Sequence, residues 1–277
     1  MRKRWQTVVH YLGVAFILVW GLAPFYWMLV VALRDATFTF DTTPWPSHVT
    51  LDNFREAIAT DRGNNFLRAI GNSLIISLTT TIVAVIVGVG AGYALARLNF
   101  RGKGLVVGII LAASMFPGIA LVTPLFQLFS QIGWIGTYQA MIVPNISFAL
   151  PLTIYTLISF FKQLPWELEE AARVDGASRS QAFRKVMLPL ATPALFTTAI
   201  LAFIAAWNEY MLAQQLSTGA TEPVTVAIAR FTGPSSFQYP YAATMAAGAL
   251  VTVPLIIMVL VFQRRIVSGL TAGGVKG

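Results

Sequence analysis

The stretch Glu170-Ala-Ala-Arg-Val-Asp-Gly-Ala-Ser-Arg179, followed by Leu188-Pro189, is polar and charged but lies between long apolar segments. The whole chain has 277 residues, of which 56% are hydrophobic and only 11% are charged. Soluble domains carry about a quarter charged residues. The composition therefore predicts an integral membrane protein in which this stretch forms a structured loop outside the bilayer.

Six apolar segments are each long enough for a transmembrane helix, which needs roughly 20 residues. These segments cover about 8–33, 72–96, 105–130, 138–161, 193–213 and 241–263. They are about twice as long as the strands of a membrane β-barrel. We therefore predict an all-α integral membrane protein of one domain, residues 1–277, with six transmembrane helices, a two-helix loop at 162–192 between helices four and five, and a tail at 264–277.

The distribution of lysine and arginine predicts the orientation of the helices. If the N-terminus is cytoplasmic, 14 of the 19 basic residues fall on the cytoplasmic side. Both termini and the 162–192 loop are then cytoplasmic. The same bias explains the net charge of +8 without a nucleic-acid partner.

The 162–192 loop carries start and stop signals for two short helices. Glutamates crowd the first turns, where they complement the positive end of the helix dipole. Gly176 can end the first helix in the left-handed conformation. Ser178 and Gln181 have the spacing of a capping box that opens the second helix, and Pro189 is expected to end it.

Several classes of chemistry are excluded by the residues that the chain lacks. It has no cysteine and only two histidines, so we predict no metal site. No Gly-x4-Gly-Lys-Ser/Thr motif occurs, so the chain should not bind ATP itself. Gly88 and Gly92 are instead interpreted as a small-residue contact between helices. We predict no catalytic residue and no cofactor.

Few polar side chains fall within the predicted spans. A neutral solute such as a sugar is bound by amides, carboxylates and aromatic faces, and the predicted spans offer all three. The candidate residues for a solute path are Asn72, Asn145, Trp207, Asn208, Glu209 and Tyr210. The alternative is that these side chains form hydrogen bonds between helices, and the sequence leaves both possibilities open.

The pattern Glu-Ala-Ala-x-x-Asp-Gly-Ala at 170–177, followed by Leu188-Pro189, resembles the coupling loop of permease subunits of binding-protein-dependent ABC importers. Six spans with this loop between the fourth and fifth are similar to the smaller permease of carbohydrate importers of the maltose-permease type. Asn72-Ser-Leu74, Trp207-Asn-Glu209 and the tail Gly269–Gly277 also resemble that subfamily. Among its members, the chain looks most like the second permease of actinobacterial trehalose-type importers.

This resemblance implies a multi-pass protein of the cytoplasmic (inner) membrane that translocates a neutral sugar, such as the disaccharides trehalose or maltose. The partners would be a homologous second permease, two cytoplasmic ATPase subunits that bind ATP and Mg, and an extracytoplasmic sugar-binding lipoprotein or periplasmic receptor. The chain itself would not be an enzyme. The residues that contact the ATPase would be Glu170, Ala171, Ala172, Asp175, Gly176, Ala177, Leu188 and Pro189.

Three alternatives remain at this point. The same machinery could carry another solute, such as a glycerol phosphate, but predicted spans two to six contain no lysine or arginine to bind an anion. A standalone secondary carrier would use several intramembrane charged residues, and only one acid, Glu209, is a candidate. A structural membrane scaffold would leave the partner of the 162–192 loop unspecified.

Overall fold

The computed structural model describes residues 2–60, 65–231 and 240–274, and the side chains of residues 6–262 within those ranges. Within them the chain is helical, and the β-pairing is limited to a single bridge between Arg34 and Val49. This confirms the predicted all-α fold. The α-helices in chain order are α1 (Arg2–Ala32), α2 (Asp52–Ile58), α3 (Phe66–Arg97), α4 (Lys103–Ser114), α5 (Val122–Gln131), α6 (Tyr138–Gln163), α7 (Glu167–Val174), α8 (Arg179–Ala182), α9 (Leu188–Leu190), α10 (Thr192–Trp207), α11 (Met211–Leu216), α12 (Val224–Ala229) and α13 (Tyr241–Gly274).

Four helices in the described ranges have the length and apolar composition needed to cross a membrane: α1 from Gln6, α3, α6, and α13 as far as Phe262. Two bent pairs of helices also qualify if each pair is counted as one span. The structure therefore contains four to six candidate spans, a range that includes the six predicted.

The predicted third span, 105–130, is not one continuous helix. α4 ends at Ser114, a 3₁₀ turn covers Gly118–Leu121, and α5 follows, with a bend of 86° between the two parts. Pro117 lies at the break. Its ring fixes its own backbone and disfavours the helical conformation for the residue before it, so the helix ends there.

The predicted fifth span, 193–213, is shorter than expected. α10 ends at Trp207, and the backbone leaves the helical path at Asn208 before α11 begins at Met211. Glu209 therefore lies in a break between two helices rather than inside a span. α10 itself meets the preceding helical segment, Arg179–Leu190, at a bend of 70°.

The residues group into two compact units, which are residues 1–68 with 227–254, and residues 69–226 with 255–277. The prediction of a single domain stays a prediction. Residues 275–277 of the predicted tail 264–277 lie outside the described residues, and α13 continues to Gly274.

The second unit is held together by very close packing of α3 against α6. A Cβ atom added at Gly88 would lie 2.4 Å from Cγ2 of Thr153, and one added at Gly92 would lie 2.8 Å from Cβ of Leu157. Side chains larger than hydrogen do not fit at these two positions. The predicted small-residue contact between helices is confirmed, and its partner is α6.

The first unit contains a folded segment after α1 that is organised around Arg34. This side chain is fully buried, and its guanidinium donates hydrogen bonds to the backbone oxygens of Asp41, Thr43 and Trp45. The guanidinium also lies over the ring of Trp27, 5.2 Å from its centroid. The charge is thus accommodated by carbonyl dipoles and a π-face, which is how a buried arginine can be tolerated.

Candidate functional site

The first helix of the 162–192 loop ends in the conformation that the sequence predicts. α7 stops at Val174, and Gly176 has φ +87°. The N–H of Gly176 donates to the Arg173 oxygen at 3.1 Å, and the N–H of Ala177 donates to the Ala172 oxygen at 3.0 Å. These bonds satisfy carbonyls that the end of a helix leaves free. Gly176 is therefore required by backbone geometry, and the space beside it is open.

The second helix of the loop begins with the predicted capping box. The N–H of Gln181 donates to Oγ of Ser178 at 3.3 Å, and the N–H of Ser178 donates to Oε1 of Gln181 at 2.8 Å. Both bonds lie within four residues of the chain. The two helices of the loop thus acquire their boundaries from local sequence.

The second helix ends at Leu190, one residue after the predicted end at Pro189, and the chain then bends by 70°. A π-helical segment covers Phe183–Met187, and the helix continues through Pro189 to Leu190. The N–H of Leu188 donates to the oxygen of Phe183, five residues earlier. The wider π-turn precedes the proline, and the helix ends one residue after it, as expected where a backbone N–H is missing.

The residues predicted to contact an ATPase lie in two stretches of the loop, 170–177 and 188–189, and differ in exposure. Glu170, Ala171, Asp175, Gly176 and Pro189 are exposed, whereas Ala172, Ala177 and Leu188 are partly buried. The indole Nε1 of Trp166 donates to Oε1 of Glu170 at 2.8 Å, which fixes this carboxylate on the surface of α7. The exposed set offers acidic and very small side chains, so the backbone of the loop is accessible to another protein.

The loop is also attached to the end of α3, which sequence reasoning missed. The hydroxyl of Tyr93 donates to Oε1 of the buried Glu169 at 2.6 Å. Nη2 of Arg97 donates to the Leu164 oxygen at 2.6 Å, and the guanidinium lies 4.9 Å from the ring centroid of Trp166. The available signal was the spacing of Tyr93 and Arg97, which puts two polar side chains on one face at the last turn of an apolar helix.

The six candidates for a solute path do not form one site. Asn145 and Glu209 face a small cavity that is also lined by Ser73. This cavity has a volume of about 10 Å³, close to what one water molecule requires. Sites for organic ligands typically measure about 300–1,000 Å³. In this conformation the cavity is therefore too small for a sugar.

Glu209 has a clear structural role in the break between α10 and α11. Its carboxylate accepts hydrogen bonds from the N–H groups of Leu212 at 2.8 Å and Ala213 at 3.0 Å. Its backbone oxygen accepts a hydrogen bond from Oγ1 of Thr225 at 2.8 Å. The acid thus caps the first turn of α11, where a negative charge is favoured.

The side-chain amide of Asn72 is occupied by hydrogen bonds to other parts of the protein, so it is not available to a solute. Its Nδ2 donates to the oxygens of Ala220 at 3.3 Å and Glu222 at 2.9 Å, and its Oδ1 accepts from the hydroxyl of Tyr138 at 2.7 Å. The neighbouring Ser73 accepts a hydrogen bond from the N–H of Val224 at 2.9 Å. Together these bonds hold the 217–226 segment against α3 and α6.

The other candidates differ in exposure. Trp207 is 1% exposed and stacks on Phe203, with the ring centroids 5.6 Å apart. Tyr210 is partly buried and packs against the cluster of Ile76 and Met141. Asn208 is exposed, and its Nδ2 donates to the oxygen of Ile204 at 2.9 Å. Of the six, Asn208 is the one with a freely accessible side chain.

Within the described ranges, no three histidine, aspartate or glutamate residues lie close enough to hold a metal ion together. The full sequence contains no cysteine.

Apolar helices and an ordered, exposed two-helix loop define this chain as a multi-pass membrane protein. The family model described as "Binding-protein-dependent transport system inner membrane component" matches residues 84–271. The chain belongs to this family. Members are non-catalytic membrane components, so the chain is not an enzyme, as predicted.

Relatives over almost the full length are permease proteins. The chain is 49% identical over 259 residues to the trehalose transport system permease protein SugB of Mycobacterium tuberculosis (strain CDC 1551 / Oshkosh), covering 93% of each chain. It is 41% identical over 274 residues to the trehalose/maltose transport system permease protein MalG of Thermococcus litoralis, covering 98% of each chain. These matches confirm the resemblance inferred from the sequence.

A solved structure has the same fold at low sequence identity. A chain of a bacterial ABC transporter involved in the import of the acidic polysaccharide alginate superposes with a TM-score of 0.77 at 21% identity. The match covers 95% of this chain and 97% of the other. It supports the helical permease fold.

Proposed function

We propose that the chain is a transmembrane subunit of an ABC importer that carries a neutral sugar, most specifically a disaccharide of the trehalose or maltose type. The supporting observation is the family membership, together with two relatives above 40% identity whose names specify trehalose or trehalose/maltose transport. The proposed energy source is ATP hydrolysis by two partner subunits, which hold the ATP and Mg.

The side chains that line the cavity near the break after α10 include no lysine or arginine that would bind an anionic solute. The cavity there presents a hydroxyl, an amide and a carboxylate, from Ser73, Asn145 and Glu209. An anion such as glycerol phosphate would favour lysine or arginine, and the apolar stretch 72–96 of α3 contains neither. Since the cavity is small, the sugar path is completed in another conformation or by a second, homologous permease.

The 162–192 loop is the proposed contact with an ATPase subunit. It is rigid because both of its helices have hydrogen-bonded ends, and it presents Glu170, Asp175 and Gly176 to the outside. The charge distribution supports a cytoplasmic position for the loop and both termini. An extracytoplasmic sugar-binding lipoprotein or periplasmic receptor would then deliver the sugar on the opposite side.

Transport in proteoliposomes tests this function. The chain is reconstituted with the second permease and ATPase subunits, and uptake of labelled trehalose, maltose and glycerol phosphate is measured with and without the binding protein. We expect disaccharide uptake that needs ATP and every partner. Uptake by the chain alone under an ion gradient would contradict the proposal, and preferential uptake of glycerol phosphate would support the alternative solute.

Asn208→Ala tests the solute path within the same assay. We expect a higher KM for the sugar because the variant removes the exposed amide at the break. Gln215→Ala is the matched control, since Gln215 is also exposed but lies on α11. Identical KM values for the two variants would remove Asn208 from the path.

A further inference from the structure

α3 differs from the other long apolar helices because it contains no proline. It runs uninterrupted for 32 residues. Proline occurs inside α1 at Pro24, inside α6 at Pro144 and Pro151, and inside α13 at Pro254. Each of these prolines removes a helical hydrogen bond and allows the helix to bend. α3 is therefore the long helix best suited to move as one rigid body.

Near its first end, α3 holds the 217–226 segment through side chains that reach across a large separation in sequence. Asn72 donates to the Ala220 and Glu222 oxygens, and Ser73 accepts from Val224. The hydroxyl of Tyr138 on α6 completes the set by donating to Asn72. Asn72 and Ser73 are 3% and 2% exposed, so the bonds are protected from water.

At its other end, α3 holds the 162–192 loop. Tyr93 donates to the carboxylate of Glu169 in α7, and its ring lies 4.5 Å from that of Phe183 at the start of the π-segment. One helical turn later, Arg97 donates to the Leu164 oxygen at the point where the chain enters the loop. Glu169 and Arg97 are 8% and 7% exposed. Both helices of the loop are thus fixed to the same turn of α3.

The two sets of contacts lie a membrane thickness apart. Asn72 and Tyr93 are separated by 21 residues of continuous helix, which corresponds to about 32 Å at 1.5 Å per residue. The hydrocarbon core of a bilayer is about 30 Å thick. One uninterrupted helix therefore connects a surface segment on one side to the two-helix loop on the other.

We propose that α3 transmits movement between the 162–192 loop and the 217–226 segment, with Tyr93 and Tyr138 as positioning residues at its two ends. This proposal rests on the proposed function, in which an ATPase moves the loop. A displacement of the loop pulls the last turn of α3 through Glu169, and the far end of α3 carries the 217–226 segment through Asn72. The connections act in series, so the loss of either one weakens the coupling between the two surfaces.

Conservative variants remove single hydrogen bonds from each end of α3. Tyr93→Phe deletes the donor to Glu169, and Tyr138→Phe deletes the donor to Asn72, while both keep the aromatic ring. In the assembled transporter we expect each variant to reduce the sugar transported per ATP hydrolysed by about fivefold, the lower range of a coupling between two sites. Tyr155→Phe is the matched control on α6. The side chain of Tyr155 is 48% exposed, so the loss of its hydroxyl should not disturb the contacts of α3.

The double variant distinguishes transmission from two local defects. If the contacts act in series, the double variant with Tyr93→Phe and Tyr138→Phe transports as much sugar per ATP as the less active of the two single variants. Independent structural damage would instead multiply the two losses, about 25-fold if each is about fivefold. Multiplied losses, or single variants that match Tyr155→Phe, would overturn the proposal.

A second measurement does not depend on which solute is carried. The chain has no cysteine, so Gly219→Cys in the 217–226 segment can be labelled specifically with an environment-sensitive fluorophore. We expect ATP binding by the partner subunits to change the emission, and Tyr93→Phe to reduce that change at least about threefold. An unresponsive label in the unaltered background, or an equal response in Tyr93→Phe, would overturn the proposal. A normal response without uptake of any tested sugar would instead reject the proposed solute alone.

Discussion

The 162–192 loop and the 208–226 region both contain short helices, but the hydrogen bonds at the start of α8 and at the start of α12 differ in range. In the loop, the capping bonds join Ser178 and Gln181, three residues apart. In the 208–226 region, the Ala220 oxygen accepts a hydrogen bond from Asn72, 148 positions away, and the N–H of Val224 donates to Ser73, 151 positions away. The start of α8 is therefore defined by neighbouring residues, whereas the place of the 220–224 stretch depends on α3.

The variant with the largest expected effect changes the exposed turn of the loop at Gly176. Gly176→Trp places a bulky side chain on the proposed docking surface, and we expect ATPase association to fall by more than about tenfold, as measured by co-purification. The matched control is Gly133→Trp, because Gly133 also has a positive φ (+72°) and open surroundings. Both variants carry a similar backbone strain of about 1–2 kcal/mol. Equal association in the two variants would contradict a docking role for the loop.

A second test disturbs the helix packing on which the 208–226 region depends. Gly92→Ala inserts a methyl group 2.8 Å from Cβ of Leu157, and we expect the free energy of unfolding to fall by about 1–3 kcal/mol. Gly90→Ala is the control two residues earlier, where the added Cβ meets nothing within 4 Å. Alanine is the better helix former, so this control should be neutral or slightly stabilising. Thermal unfolding in detergent compares the two, and equal melting temperatures would argue against the close contact.

A third test removes one hydrogen bond between neighbouring residues of the loop. Ser178→Ala removes the side-chain acceptor of the capping box, which stabilises a helix by about 1 kcal/mol. We expect amide exchange at Gln181 to become about fivefold faster while exchange at Val224 is unchanged. Ser180→Ala, an exposed position inside α8, is the control. Faster exchange at Val224 in the Ser178 variant would show that the capping box stabilises more than the start of α8.

The smallest expected effect comes from one hydrogen bond in the 208–226 region. Thr225→Val replaces the donor to the Glu209 oxygen by a methyl group of the same shape, and we expect a loss of about 0.5–1 kcal/mol in unfolding free energy. Thr79→Val, on the exposed face of α3, controls for the change in composition. If urea unfolding shows no difference between the variants, the bond contributes nothing to stability.

The boundaries of the loop were predictable because their signals lie within a few residues of each other. The glycine turn and the capping box each require only a short stretch of sequence. The π-turn at Phe183–Met187 was not predicted because it has no comparable local signal. The break at Asn208 was missed because Asn208 and Glu209 are flanked on both sides by apolar residues that are compatible with a continuous span.

The candidate solute residues could not be ranked from the sequence because their partners are distant along the chain. Nothing near Asn72 indicates that its amide is occupied by the oxygens of Ala220 and Glu222. In the same way, the carboxylate of Glu209 is polar enough for a sugar but caps α11 instead. Composition identified the polar residues in an apolar protein, and only the fold shows which of them are already occupied.

The buried arginine after α1 has a consequence for the depth of that helix in the bilayer. Only 11% of the apolar window of α1 is buried within the chain, so side-chain packing does little to fix its height. Arg34 is bonded to backbone oxygens of the segment at 41–45, so the charge cannot be drawn inward without pulling that folded segment with it. The folded segment at 41–45 is therefore expected to oppose movement of the Arg34 charge into the bilayer. We expect Arg34 and its backbone partners to limit how deeply this end of α1 enters the bilayer.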